Sequence, residues 1–307
     1  MLILRRRLTV DDLCGRQTPP MLTHLKAHRT LWALIGLLTL VVSAAGIWNP
    51  DIYQGIVAPS IIPGAYSQDL ISAAAAVGLL YLSLARSSDR PKAQIIALGL
   101  LGYLFYAYGI YTIERAYNGL YLVYMAIFAL SFWAMVCAGT ARRRETGQVT
   151  QVTLPRRLRL VSASGALLQP LIFYPLWIAM LLPLMRTGEQ IDSLYSIYIL
   201  DLCFIMPAFL ILAFLTFRSH PLGLILLPAL YVLGFTLIFS LAVGEIVKPL
   251  FNAALSPAAF WPAALLSMFF LVLGALHLRA LIITTHEKTV RHAAGTGIEA
   301  TTSGGQR

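Results

Sequence analysis

The chain has 307 residues, of which 58% are hydrophobic and 12% charged, and its net charge is +10. Soluble domains run at about 45–50% apolar and about 25% charged, so a water-soluble globule is excluded: one core has no room for this much apolar side chain. The basic residues lie between apolar runs and form no basic-aromatic module, which points to membrane lipids as partners and away from nucleic acid.

Residues 1–30 read as a basic N-terminal segment; Met21 is a candidate second start, since residues 1–20 look like an unstructured extension. Apolar spans follow at about 31–48, 69–85, 94–113, 119–139, 160–184, 196–217, 222–243 and 258–278. Each is close to the ~20 residues that cross about 30 Å of hydrocarbon at 1.5 Å per residue. The runs are continuous and lack polar alternation, so they predict helices and not barrel strands. The expected fold class is all-α, a polytopic membrane protein of about eight transmembrane helices. Ser43-Ala44-Ala45 resembles a weak signal-peptide cleavage site, but the long first span favours an uncleaved helix. A basic loop at 140–159 separates a first transmembrane half (31–139) from a second (160–279), and 280–307 reads as a disordered tail.

Placing both termini in the cytoplasm puts every Lys and Arg on the inner side except Arg115, Arg186 and Lys248. An internal echo runs through the two halves. Asp69-Leu70 precedes Arg86 by 17 residues, and Asp201-Leu202 precedes Arg218 by the same interval. Pro91 and Pro221 then open the next helix, which ends in Glu114, Arg115 and Asn118 in one half and Glu245, Lys248 and Asn252 in the other. This order suggests two parallel four-helix pseudo-repeats; the alternative is that topology alone distributes acids outside and Arg inside. Internal prolines Pro170, Pro175, Pro207, Pro228 and Pro262 mark the second half for kinks. In the first half, Gly99 and Gly102 predict a close helix approach, and Tyr117, Tyr121, Tyr124 and Phe128 share a helix face.

Carboxylates are costly inside a membrane, so they lead the candidates. Asp69 and Asp201 have two readings: a cation- or proton-binding pair facing a cavity between the halves, or helix N-caps. The cap is favoured for Asp69, and the readings are balanced for Asp201. Glu114 with Arg115, and Glu245 with Lys248, read as outer salt bridges. Gln68, Asn118, Gln169 and Asn252 are candidate polar site residues, with helix-end satisfaction as the alternative. Tyr66, Tyr111, Tyr117 and Tyr195 fit an interfacial belt. Tyr103, Tyr106 and Tyr124 lie deeper and either bond between helices or line a pocket for a flat ligand. No metal site, cofactor motif or nucleophile motif is present, and Cys14, Cys137 and Cys203 form no disulfide framework.

The stretches Gln68-Asp69-Leu70, Tyr103-Leu104-Phe105-Tyr106-Ala107-Tyr108-Gly109 and Tyr117-Asn118-Gly119-Leu120-Tyr121, with Asp201-Leu202 through Pro207, Arg218 and Pro221-Leu222-Gly223, carry a resemblance. They resemble a group of bacterial polytopic membrane proteins with no assigned activity. The resemblance covers about half of the chain and implies a bacterial inner-membrane location; it carries over no catalytic residue. Three functions are expected in this order. A transporter or channel for a small solute or cation comes first. A non-catalytic assembly, lipid-binding or sensory protein comes second, and a membrane enzyme acting on lipid or quinone third.

Overall fold

The computed structural model describes residues 22, 24–141, 148–191 and 194–287. In chain order the helices are α1 (Leu25–Trp48), α2 (Ile62–Leu84), α3 (Pro91–Ile113), α4 (Tyr121–Ala141), α5 (Arg156–Thr187), α6 (Tyr195–Phe217), α7 (Pro221–Val247) and α8 (Pro257–Ala280). All eight are long and apolar enough to cross a membrane, and the chain is a polytopic, all-α membrane protein.

Two boundaries differ from expectation. α2 is entered through a 3₁₀ turn at Pro59–Ile61, so Asp69 lies well inside the helix and is no N-cap. The polar triplet Ser67-Gln68-Asp69 looks like a helix start because it interrupts the apolar pattern. Ser67 and Asp69 are instead buried against the rest of the protein. The second difference is a ladder at the basic end. β1 (Gln148–Thr153) pairs antiparallel with β2 (Ile282–Glu287), Gln148 opposite Glu287 and Thr153 opposite Ile282. In the ladder Val152 pairs with Ile283 and Thr153 with Ile282, β-branched residues that suit a strand. Disorder across 280–307 is thereby corrected for 282–287; 288–307 lie outside the described residues, as do 1–21 and 142–147.

α3 and α7 cross at the centre, and both are buried on most of their circumference. Gly99 permits the crossing: a Cβ there would stand 2.5 Å from Val232 Cβ and 2.7 Å from the Ala229 carbonyl oxygen. Gly102 faces Leu233 in the same way, as the small residues predict. α4 packs on α3 and α8 on α7; α1 packs on α2 and α5 on α6.

The basic end is tied by side chains that satisfy helix termini. Arg29 Nε donates to the Ser83 carbonyl at 2.6 Å, and Lys92 Nζ to the Arg279 carbonyl at 3.1 Å. Buried Gln94 accepts from the Leu22 amide and donates to the Ser88 carbonyl. Pro228 creates a further demand. It has no N–H, so the Leu224 carbonyl loses its helical donor. His277 of α8 supplies one through Nε2, 2.9 Å away. That bond fixes the tautomer, leaving Nδ1 to accept from the Ser162 hydroxyl at 2.6 Å. Tyr231 of α7 closes the group by donating to the Ser162 carbonyl.

His277→Ala is therefore expected to cost about 1–3 kcal/mol, because it orphans the Leu224 carbonyl. Pro228→Ala restores the missing N–H, and in that background His277→Ala costs less. Thermal unfolding of the four proteins in detergent checks this; an equal cost in both backgrounds contradicts it.

Candidate functional site

The site grows from an irregularity in α6. Residues Asp201–Ile205 form a π turn, in which the Met206 amide bonds the Asp201 carbonyl five residues back. Pro207 explains it: its ring would clash with the carbonyl of Cys203 in a regular helix, and the wider turn makes room. The turn changes which carbonyls find partners, and Leu202 receives the Tyr174 hydroxyl of α5 at 3.4 Å.

Asp201 opens this turn and is 4% exposed. Its Oδ2 accepts from Trp177 Nε1 at 2.7 Å, and the Tyr106 phenol of α3 stands beside the carboxylate. Its Oδ1 has no hydrogen-bond partner among the described residues; neither has Oε1 of buried Gln169. Gln169, Phe173 and Trp177 follow at four-residue intervals, so α5 presents them on one face.

Asp201, Gln169, Phe173, Trp177 and Tyr106 share a cavity of about 670 Å³ at the end opposite the basic loops. α2, α3, α5, α6 and α7 form its walls, with Gln68, Glu114 and Ser240 as further polar groups. The connection between α1 and α2 completes the lining. After a 3₁₀ turn at Pro50–Tyr53, Gly55 takes φ +72°, a conformation that glycine adopts without strain, and brings Ile56–Pro59 to the wall.

Asp69 has a different fate. It is 2% exposed, lines no part of the cavity, and accepts from the Tyr53 hydroxyl at 2.6 Å. Tyr53 stacks on Tyr111 at 5.8 Å, Tyr111 stacks on Tyr124 at 4.9 Å, and Tyr108 packs against both Tyr111 and Tyr124. Burial holds the Tyr53 phenol above its ordinary value, so it stays protonated and remains a donor. Gly46 of α1 allows the seal: a Cβ there would fall 1.9 Å from Asp69 Oδ2. Tyr111 is thus a core residue and not part of an interfacial belt.

The remaining candidates satisfy helix ends and neighbours. Asn118 donates to the Tyr124 hydroxyl at 3.1 Å and accepts from the Leu120 amide at the start of α4. Tyr103 lies within 3.2 Å of the Ser72 hydroxyl and the Gln68 carbonyl. Glu245 pairs with Lys248 at 2.6 Å, as the spacing predicts, and accepts from the Ser256 amide at the start of α8. The other expected bridge does not form. Glu114 accepts from the Ser196 amide at 2.8 Å, while the Arg115 guanidinium lies over the Tyr195 ring. Gln68, Tyr106, Glu114 and Asp201 are therefore brought together; Asp69, Asn118, Glu245, Tyr103 and Tyr124 are not. Sequence reasoning missed Phe173 and Trp177, although their spacing from Gln169 was a usable signal. Among the described residues no group of three or more His, Cys, Asp or Glu is placed to hold a metal ion.

Tyr53→Phe removes the donor to a buried carboxylate and is expected to destabilise the protein by about 1–3 kcal/mol. Tyr117→Phe, at an exposed position, serves as the control and should change little. Paired thermal melts check this, and equal melts would show that Asp69 does not depend on Tyr53. No protein-family model matches the chain, and comparison with curated proteins and with solved structures gives no match.

Proposed function

We propose that this protein is a bacterial inner-membrane transporter of a small solute, which binds in the cavity beside Asp201. The observation that carries the reading is a carboxylate buried within a membrane span, with one oxygen unpartnered, at the wall of a cavity large enough for a small molecule. Intramembrane acids are costly to keep, and ligand sites are typically apolar cavities with a few convergent polar groups. A π turn at the same residue adds support, since such turns recur at functional positions.

The basic end faces the cytoplasm by the distribution of Lys and Arg, which makes the cavity outward-facing. Towards the basic end, Ile205, Phe209, Tyr231 and Phe270 pack in one apolar cluster, which a transport cycle would have to open. The two halves form parallel repeats in this reading, which matched packing supports. α1 lies on α2 as α5 lies on α6, and α4 lies on α3 as α8 lies on α7. Asp69 and Asp201 each accept from an aromatic side chain that precedes their helix. A cryo-microscopy structure tests the repeat: one two-fold rotation superposes α1–α4 on α5–α8, or none does.

Transport requires the cavity and the apolar cluster to reach water from opposite sides. In a background with Cys14, Cys137 and Cys203 replaced by Ala, Ser240→Cys probes the cavity and Ala213→Cys the cluster. A membrane-impermeant maleimide is expected to label the first from outside and the second from inside. Labelling of Ser240→Cys alone would identify a binding protein that does not transport. Absence of labelling at Ser240→Cys from either side would remove the reading.

A further inference from the structure

We propose that the ligand of this cavity is an organic cation with an apolar body and N–H donors, of the primary ammonium or amidinium class. This rests on the cavity being the solute site, and it follows from what the wall offers and lacks. Two carboxylates, Asp201 and Glu114, contribute to the lining, and no Lys, Arg or His does. Neither carboxylate has a salt-bridge partner among the described residues. An anion would meet two acids with no counter-charge, whereas a cation supplies the counter-charge that Asp201 lacks in a low-dielectric site.

The hydrogen-bond inventory points the same way. The single N–H of Trp177 is spent on Asp201 Oδ2, and the Gln68 amide N–H donates to the Ala107 carbonyl at 3.0 Å. The Asp201 Oδ1 and Gln169 Oε1 acceptors are left over, with the Tyr106 hydroxyl beside the Asp201 carboxylate as the nearby protein donor. Asp201 carries the assignment, because an amide can present either its oxygen or its nitrogen. A ligand that donates two N–H groups completes both. The size of the cavity asks for more than an inorganic ion: about 670 Å³ falls in the range that encloses drug-sized molecules. Phe173 and Trp177, ring centroids 5.8 Å apart, add aromatic faces that attract a cation.

Calorimetry on the full chain in lipid nanodiscs tests the class with benzamidinium and with four probes built on one phenethyl body: phenethylammonium, its trimethylated analogue, phenethyl alcohol and phenylpropionate. Phenethylammonium is expected to bind best. The trimethylated cation, which keeps the charge but has no N–H, should bind more weakly, and the anion weakest of all. Asp201→Asn keeps an acceptor for Trp177 and is expected to weaken phenethylammonium at least about tenfold, the loss of one charge-assisted bond, while leaving the alcohol unchanged. If that variant does not fold, Gln169→Ala and the ranking of probes on the unmodified protein decide. Equal or tighter binding of the anion overturns the proposal. So does an unchanged phenethylammonium affinity in Asp201→Asn, or no binding of phenethylammonium and benzamidinium at millimolar concentration. Asp201-dependent cation binding without inside labelling at Ala213→Cys would keep the ligand class and remove transport. Labelling from both sides with a preference for the anion would do the reverse.

Discussion

A polar group buried by a membrane helix has no water to turn to, so its partner has to come from the protein. Most of the irregular features here follow from that requirement. Pro228 leaves the Leu224 carbonyl without a donor, and a histidine from the neighbouring helix fills it, with a serine and a tyrosine completing the group. Leu202, within the π turn ahead of Pro207, finds the Tyr174 hydroxyl. Asp69 is matched by Tyr53, and the fit is close enough that α1 carries a glycine where any Cβ would strike the carboxylate. Of the eight buried side-chain atoms without a hydrogen-bond partner among the described residues, only Asp201 Oδ1 and Gln169 Oε1 belong to residues that line the cavity.

The two acids that an internal echo pairs in sequence therefore do different work. Asp69 is sealed behind stacked tyrosines and locks α1, α2 and the connection between them. Asp201 faces a cavity through the turn that Pro207 imposes on α6. The outer acids differ as well. Glu245 secures the start of α8 within its own half, whereas Glu114 reaches across to the start of α6 and so helps to shape the wall.

Much of the fold is legible in the residues themselves. Eight apolar runs of membrane-spanning length, set off by basic loops, lead to eight helices, and Gly99 and Gly102 anticipate the central crossing. The boundary of α2 is not legible, because Ser67-Gln68-Asp69 interrupts the apolar pattern without ending the helix; only tertiary contacts show that the triplet is buried. The ladder between β1 and β2 joins segments more than a hundred residues apart, and neither alone predicts its partner. At the site, the chemistry-bearing types are readable but their company is not. Asp201, Tyr106, Glu114 and Gln68 emerge as candidates because polar groups in apolar runs are conspicuous. Phe173 and Trp177 escape, since aromatic residues in a membrane span look like ordinary lipid-facing or core positions until the helix face they share with Gln169 is seen to meet the cavity.

The central claim is that one of the two buried acids borders a ligand cavity and the other is sealed, and chemical modification of the unaltered protein tests it most directly. Dicyclohexylcarbodiimide, an apolar reagent specific for carboxyl groups, can be applied to membranes and the modified peptides read by mass spectrometry. An adduct on Asp201 and none on Asp69 is the expected result. An adduct on Asp69 with Asp201 untouched, or equal modification of both, would contradict it.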